Sequence, residues 1–242
     1  TTWGEMITVL HSMAAEADQV RVVASANLSN EELFLAKEIL VGHFGLEVVV
    51  PVEGGPARKI KNGHNEWVSS VDAHANSSGA RLIGLPIVDA AGLAEFIKDG
   101  RMPLLLLDDR SHPWLTSDEA VSALEGRRLA VASRSVTPLA VRAELLLPVA
   151  SWAETEGTYT SSTGRVQLAR RGFLPKGQVL PMWQILFRLG VAAGVYEEGA
   201  VSPRSIFERL ATAVGAFDGM TYRQLEAESG IAVSEEVLDV VG

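Results

Sequence analysis

The fold of this chain is decided by residues 20–32, which read VRVVASANLSNEE. The apolar run at 20–26 is of the kind found in strands that are buried on both faces. Ser29 then supplies a helix-capping residue, and Glu31 and Glu32 place carboxylates in the first turn, where the positive end of the helix dipole favours them. The stretch therefore predicts a buried strand that runs directly into a helix.

The alternation of apolar strands and helical patterns continues to residue 150, which is typical of a parallel sheet covered by helices on both faces. Further strands are predicted at 46–52, 104–108, 129–133 and 145–149, and helices at 3–17, 29–43, 89–99 and 117–125. Residues 53–80 are rich in Gly, Asn and Ser and are predicted to be a long loop. The fold class is α/β: a doubly wound, mostly parallel, Rossmann-like sheet of five strands.

The pattern changes after residue 150. Residues 158–160 and 165–168 alternate around a Ser/Thr/Gly turn, which predicts a β-hairpin. Helices are predicted at 181–194, at 203–214 and from residue 221 onwards. We expect two parts: an α/β domain over 1–150, and a C-terminal hairpin and helical extension over 151–242 that packs on it.

Composition excludes several classes of protein. The 242 residues carry a formal net charge of −9 without a recurring basic stripe, which argues against nucleic-acid binding. The sequence contains no cysteine, so it forms no disulfide and cannot by itself hold a thiolate zinc site or a complete iron–sulfur cluster. No apolar run approaches the ~20 residues that a membrane helix needs, so direct membrane insertion is not expected. The start of the chain lacks Met and a secretory pattern, which leads us to expect a processed or trimmed cytoplasmic protein.

Candidate site residues lie at the predicted carboxyl ends of strands. The turn after residue 26 contains no glycine, and neither G-x-G-x-x-G nor the P-loop pattern occurs. Ser29 and Asn30 either attract an anion at the helix N-terminus or simply cap the helix, and capping is the favoured alternative. Asp108 ends a strand at the edge where open α/β sheets bind ligands, although loop solvation and helix capping are the favoured explanation. The five histidines are dispersed, so no metal site is predicted.

Several segments, read in order, resemble a known family. AELLLP at 143–148 precedes ETEGTYT at 154–160, GRVQ at 164–167 and WQIL at 183–186. This block resembles the molybdopterin oxidoreductases, and within them most closely the large (G) subunit of NADH dehydrogenase, respiratory complex I. Weaker similarities at 3–9, 29–33 and 75–80 follow in the same order.

The resemblance implies the family's fold without its redox centres, because the family's cysteine-rich cluster domains and a cysteine ligand for molybdenum are absent from this sequence. It implies a non-catalytic, cofactor-free subunit or domain of an NADH-linked electron-transfer complex that scaffolds an iron–sulfur partner. Iron–sulfur clusters and flavin are then expected in partner subunits. The expected location is cytoplasmic, peripheral to the inner membrane through these partners.

Two alternatives stay open, so the sequence does not decide whether the chain is part of an enzyme. One is a pterin-dinucleotide-binding part of a molybdenum oxidoreductase such as a formate dehydrogenase; the other is a small nucleotide- or anion-binding module. The residues expected to form a vestigial cofactor pocket are Ser29, Asn30, Asp108, Gly157 and Thr158. Aromatic residues concentrate in interface cores, so the candidate interface anchors, which core packing also explains, are Trp152, Tyr159, Phe173 and Trp183.

Overall fold

The structure is a computed structural model that describes residues 2–15, 20–53, 58–62, 65–69, 74–98, 103–108 and 113–234. Up to residue 150 the elements are α1 (Trp3–Ala15), β1 (Arg21–Ala24), α2 (Asn30–Ala36, continued by a π-helical segment Lys37–His43), β2 (Glu47–Pro51), β3 (Arg58–Asn62), β4 (Asn65–Ser69), α3 (Ser77–Ile83), β5 (Ile87–Val88), α4 (Ala90–Lys98), β6 (Leu104–Leu107), α5 (Asp118–Ala123), β7 (Leu129–Ser133), α6 (Pro138–Arg142) and β8 (Leu145–Pro148). Beyond it are β9 (Gly157–Thr160), β10 (Arg165–Ala169), α7 (Met182–Ala192), α8 (Pro203–Ala213), α9 (Tyr222–Ala227) and β11 (Ile231–Ala232).

A six-stranded parallel sheet forms the centre of the molecule. Its strand order is β5-β2-β1-β6-β7-β8, and every neighbouring pair is parallel. Taken in chain order, these strands have the arrangement 3-2-1-4-5-6 of the doubly wound fold. The predicted α/β class is confirmed, with six strands instead of five. The additional strand, β5, has two residues, which is too short for hydrophobic periodicity to reveal.

Helices cover both faces of the sheet, which explains the apolar runs in its strands. Leu105 and Leu107 of β6 belong to the larger core, which includes residues of α1, α2, α7 and α8. Leu104 and Leu106 alternate with them and face the smaller core, which includes residues of α4 and α5. All four leucines are buried. A strand in this position needs apolar side chains on both faces, so its sequence does not alternate.

The segment after residue 150 contains a small antiparallel sheet in the order β11-β10-β9. Thr160 pairs with Val166 across the predicted hairpin, which is confirmed. The third strand, β11, follows α9 and was not predicted. Val166 and Phe207 lie in the same core cluster as Val22 of β1. Residues from both sides of position 150 thus share one core, while the predicted division into two parts stays a prediction.

The prediction of a long loop over 53–80 is wrong at two places. Strands β3 and β4 form an antiparallel ladder from Arg58↔Ser69 to Asn62↔Asn65, and helix α3 begins at Ser77. The Gly and Asn residues of this stretch outweighed its short alternating segments in the sequence interpretation. Helix α3 ends at Gly84, whose backbone is left-handed with φ of 83°. A glycine in this position is a helix stop signal, and the sequence did contain it.

The helices are short. Helix α1 has 13 residues, and α7 and α8 have 11 each. A helix that crosses a membrane needs about 20 apolar residues. Over the described ranges, no helix is long and apolar enough to do so.

Candidate functional site

The candidate site lies where the order of the strands switches, between β1 and β6. Open α/β sheets bind ligands outside the carboxyl ends of the strands at such a point. The crevice there is lined mainly by polar and aromatic side chains, among them Asn27, Glu32, Asp108, Arg134, Trp152 and Tyr159. Its cavity has a volume of about 30 Å³, close to the share of one water molecule in the liquid. The protein's own side chains therefore fill most of the crevice.

Asp108 comes directly after β6 and has a left-handed backbone with φ of 68°. Asp tolerates this conformation better than most residues because its short polar side chain bonds locally. Its carboxylate is buried, and Oδ2 accepts a hydrogen bond from the guanidinium of Arg134. The structure thus places Asp108 at the predicted edge of the sheet, in an ion pair, while the neighbouring Asp109 lies outside the described residues.

The N-terminus of α2 is closed by its own capping box. The Ser29 hydroxyl accepts from the main-chain N–H of Glu32 (3.2 Å), and Glu32 Oε2 accepts from the N–H of Ser29 (2.9 Å). The N–H of Trp183, at the start of α7, donates to the other oxygen of Glu32 (3.3 Å). The capping role predicted for Ser29 is confirmed. Two N–H groups of this terminus, those of Ser29 and Glu32, are thus bonded within the capping box.

Strand β9 lies directly against this helix terminus. A Cβ atom on Gly157 would be 2.7 Å from the Cβ atom of Ser29, so only a glycine permits this approach. Asn30 Nδ2 donates to the hydroxyls of Thr158 (3.0 Å) and Thr160 (3.2 Å). The four predicted pocket residues Ser29, Asn30, Gly157 and Thr158 are therefore in direct contact, although they lie far apart in sequence. They bind one another and leave little open space between them.

Two further side chains complete the junction between α2 and β9. Asn76, which precedes α3, donates from Nδ2 to the carbonyl of Leu28 (2.8 Å) and accepts at Oδ1 from the N–H of Thr160 (2.7 Å). Glu31 accepts at Oε2 from the N–H of Thr158 (2.8 Å) and at Oε1 from the hydroxyl of Tyr222 on α9 (2.7 Å). Glu31 and Asn76 are both fully buried. Sequence reasoning did not assign these roles; the weaker family similarity at 75–80 was the only signal that included Asn76.

Where α2 packs against β9 and α9, burial has the largest effect on the pKa values of the ionisable side chains. It raises the pKa of Glu31 from 4.5 to about 7, against the opposing effect of the hydrogen bonds from Tyr222 and Thr158. It also raises the pKa of Glu32, which lies near Asp108. The pKa values of Tyr159 and Tyr222 lie well above the ordinary value because of burial and the nearby carboxyl groups. Because burial disfavours the charged forms of these groups, an additional buried anion is disfavoured here as well.

The four predicted interface anchors have different environments. Trp152 is 67% exposed and Phe173 is 59% exposed. The main-chain N–H groups of Gly172 and Phe173 both donate to the carbonyl of Ala153 (2.9 and 3.3 Å), which joins the two segments that carry these rings. Trp183 is 7% exposed and belongs to the core, and Tyr159 lines the crevice. Of the four, Trp152 and Phe173 are the exposed pair.

Other surface features are less specific. A groove of about 730 Å³ runs between α1 and α7 and is floored by Ile7, Trp183 and Phe187. It is open and its rim carries few polar groups that converge on one point, unlike most ligand sites. Within the described ranges, no group of three or more His, Cys, Asp or Glu side chains is arranged to hold a metal ion.

Comparison with known proteins identifies relatives of this chain. The family model described as "Molybdopterin oxidoreductase" matches residues 57–192, which are 136 of the 242 residues. The alpha subunit of the F420-dependent formate dehydrogenase 2 of Methanococcus maripaludis is 35% identical over 91 residues, covering 37% of this chain and 14% of that protein. The G subunit of the NADH-quinone oxidoreductase of Pseudomonas fluorescens is 29% identical over 178 residues, covering 69% of this chain and 20% of that protein.

A third relative is the nitrate reductase of Synechocystis sp., which is 32% identical over 97 residues, covering 38% of this chain and 14% of that protein. The chain therefore spans no more than about a fifth of the length of these three relatives. Their names describe different reactions. Similarity to them supports a shared architecture, and each activity belongs to the whole relative.

Proposed function

The chain belongs to the molybdopterin oxidoreductase family, and we propose that it is a non-catalytic structural subunit or domain of an NADH-linked electron-transfer complex. In this proposal it positions a partner that carries iron–sulfur clusters, and clusters and flavin reside in partner subunits. The longest of the three reported alignments supports this choice, because it is with the G subunit of an NADH-quinone oxidoreductase and covers 69% of the chain. The other two cover 37% and 38%.

The observation that carries the proposal is the closed N-terminus of α2. A dinucleotide in this kind of sheet places its pyrophosphate at the first strand-to-helix turn, where free main-chain N–H groups and the helix dipole attract it. Here Ser29 and Glu32 cap each other, and Gly157 lies against Ser29. Two buried carboxyl groups, those of Glu31 and Glu32, already lie in the first turn of this helix. These residues do not fit a pyrophosphate.

The residues available as metal ligands, and the space available for a cofactor, also support the proposal. The 242 residues contain no cysteine to act as a thiolate ligand, and the crevice at the switch point has room for about one water molecule. A pterin dinucleotide would have to displace β9 and leave the buried polar groups of Asn30 and Glu31 without their partners. Each such group costs about 1–3 kcal/mol when it loses its hydrogen bonds.

Metal and pterin analysis of the intact complex tests the proposal. The chain is purified with its native partners, and molybdenum, tungsten and oxidised pterin derivatives are quantified per mole of chain, with a formate dehydrogenase as the positive control. We expect the positive control to give stoichiometric metal and pterin and this chain to give neither. A metallopterin that co-purifies in a one-to-one ratio and cross-links to this chain would overturn the proposal.

One specific observation favours a second candidate. The highest of the reported identities, 35%, is to the alpha subunit of a formate dehydrogenase, which suggests a pterin-dinucleotide-binding part of a molybdenum oxidoreductase. The same measurement separates the two candidates, because this one requires bound pterin. It also requires the α2 terminus to open, which the contacts of Gly157 and Glu31 oppose.

The exposed aromatic pair gives a test of the scaffold role. Replacing Trp152 and Phe173 together by alanine removes two large exposed apolar side chains from joined segments. We expect the double variant to fold normally and to retain less of the iron–sulfur subunit, followed by iron content and by mass spectrometry of the complex. Val141→Ala, at a position that is 71% exposed on α6, is the matched control and should leave retention unchanged. Undiminished retention by the double variant would contradict this use of the surface.

A further inference from the structure

Two carboxyl groups, Glu31 and Glu32, are buried side by side at the N-terminus of α2. Glu31 is 0% exposed and Glu32 is 4% exposed. A third acid, Asp108, is buried across the crevice but pairs with Arg134. Among the described residues, no ion pair joins Glu31 or Glu32 to a cation. A buried carboxylate without a cation is costly, and such a group is commonly neutralised by binding a proton.

Hydrogen-bond chemistry indicates which of the two carboxyl groups holds the proton. Both oxygens of Glu32 face main-chain N–H groups, from Ser29 and Trp183, which can only donate. Donors of this kind favour the ionised form. Glu31 accepts hydrogen bonds from the N–H of Thr158 and from the hydroxyl of Tyr222, and its own N–H and the hydroxyl of Thr158 also lower its pKa. A hydroxyl either donates or accepts, so Glu31 remains fully bonded with or without a proton.

The charges on the elements packed around α2 do not change this assignment. Glu156, which precedes β9, is paired with Arg170, and Arg134 is paired with Asp108. On α8, Arg204 lies over the ring of Tyr222 at 5.9 Å, and Arg209 is paired with Glu38. Arg81 on α3 is exposed, and Arg188 on α7 lines the groove towards α1. The pKa of Glu31, about 7 because of burial, is consistent with a proton bound up to neutral pH.

We propose that Glu31 is a proton-dependent clamp: when protonated it holds α2, β9 and α9 together over the switch point, and its ionisation weakens this junction. The inference does not depend on the absence of a pterin or on any partner. It makes the contact of α2 with β9 and α9 sensitive to pH near neutrality.

The sign of the pH dependence follows from linkage. The folded chain keeps the Glu31 proton up to about pH 7, whereas the unfolded chain releases it near 4.5. The folded state therefore binds more protons between these values, and its stability falls as the pH rises. The contribution is complete below the unfolded pKa and is lost as the pH passes through the folded pKa. The unfolding equilibrium constant should rise by up to tenfold per pH unit across this window and then level off.

Denaturant unfolding of the full chain between pH 4.5 and 9 tests the clamp. Glu31→Gln keeps the shape and the hydrogen bonds but cannot ionise, so it should remove this part of the pH dependence. Tyr222→Phe should move the midpoint to higher pH, because the hydroxyl lowers the pKa of Glu31. Glu119→Gln, which changes an exposed carboxylate on α5, should retain the wild-type profile. An unchanged slope in Glu31→Gln would overturn the proposal.

A second measurement keeps the test decisive if Glu31→Gln does not fold. Infrared difference spectra of the wild-type chain between pH 6 and pH 8 report protonated carboxyl groups through their C=O stretch. We expect one buried protonated carboxyl to disappear over this range, together with faster amide exchange in β9. A spectrum without such a carboxyl at pH 6 would refute the clamp.

Discussion

Replacing Gly157 by alanine tests whether β9 closes the N-terminus of α2. The added Cβ atom would lie 2.7 Å from Ser29 Cβ, 3.0 Å from Ser29 Oγ and 3.2 Å from Glu31 Oε2. Ser29 is held by the capping box, and Glu31 is held by the N–H of Thr158 and the hydroxyl of Tyr222. Neither group can move without breaking a buried hydrogen bond, so the strand must shift away from the helix.

The size of the effect follows from three contributions. An unstrained glycine-to-alanine change stabilises a protein by about 0.4–1 kcal/mol through the unfolded state. Overpacking of a tight site costs about 1–3 kcal/mol, and separating Glu31 from the N–H of Thr158 costs about 1–3 kcal/mol more. The expected net loss is about 2–4 kcal/mol, which at about 2–4 °C per kcal/mol corresponds to a melting temperature lower by roughly 4–16 °C.

The assay is thermal and denaturant unfolding of the full chain at one pH. Gly172→Ala is the matched control, because its added Cβ would be 3.5 Å from the carbonyl oxygen of Ala153, an ordinary contact. The control should be as stable as the wild type or slightly more so. If Gly157→Ala matches this control, the close packing of β9 on α2 is wrong, and with it the main argument against a pyrophosphate at this turn.

Three further substitutions probe the same region, each measured as the change in the free energy of unfolding by denaturant titration. Ser29→Ala should cost about 1 kcal/mol, because it removes the side-chain acceptor of the capping box; a neutral result would mean that the helix terminus has other partners. Trp183→Ala should cost about 3–5 kcal/mol and Trp152→Ala less than about 0.5 kcal/mol, because the first ring is buried and the second is exposed; equal losses would contradict this assignment. Asp108→Ala should cost about 1–2 kcal/mol more than Asp108→Asn, since asparagine tolerates the left-handed backbone and alanine does not; equal costs would show that the backbone relaxes.

The sheet was predictable because its strands carry a strong local signal. A strand buried on both faces must be apolar at every position, and 104–107 and 129–133 satisfy this requirement. The hairpin of β9 and β10 was predictable from its alternation around a turn. Short elements lack such signals, which is why β5 and α3 were missed. Their residues take these conformations because of neighbours in space, in particular the pairing of Val50 with Ile87.

The site was predictable only in part. Capping by Ser29 is a local property, because the groups involved lie within three residues of one another. The association of Asn30 with Thr158 came from the family resemblance, since 128 residues separate the two positions. The roles of Glu31 and Tyr222 depend on a hydrogen bond across 191 residues. Sequence patterning carries no information about such a bond. From the sequence alone, Glu31 is interpreted only as a carboxylate in the first turn of a helix.

The acidic first turn bears on the proposal that this chain binds no pyrophosphate at α2. A helix N-terminus stabilises negative charge whether the charge belongs to a ligand or to the chain. In this chain the carboxyl group of Glu32 accepts a hydrogen bond from the N–H of Ser29, and the hydroxyl of Ser29 accepts one from the N–H of Glu32. Glu31 fixes β9 above the same terminus. If the proposal is right, a pyrophosphate site at this turn would require removal of two carboxyl groups and displacement of β9, and no single substitution achieves both.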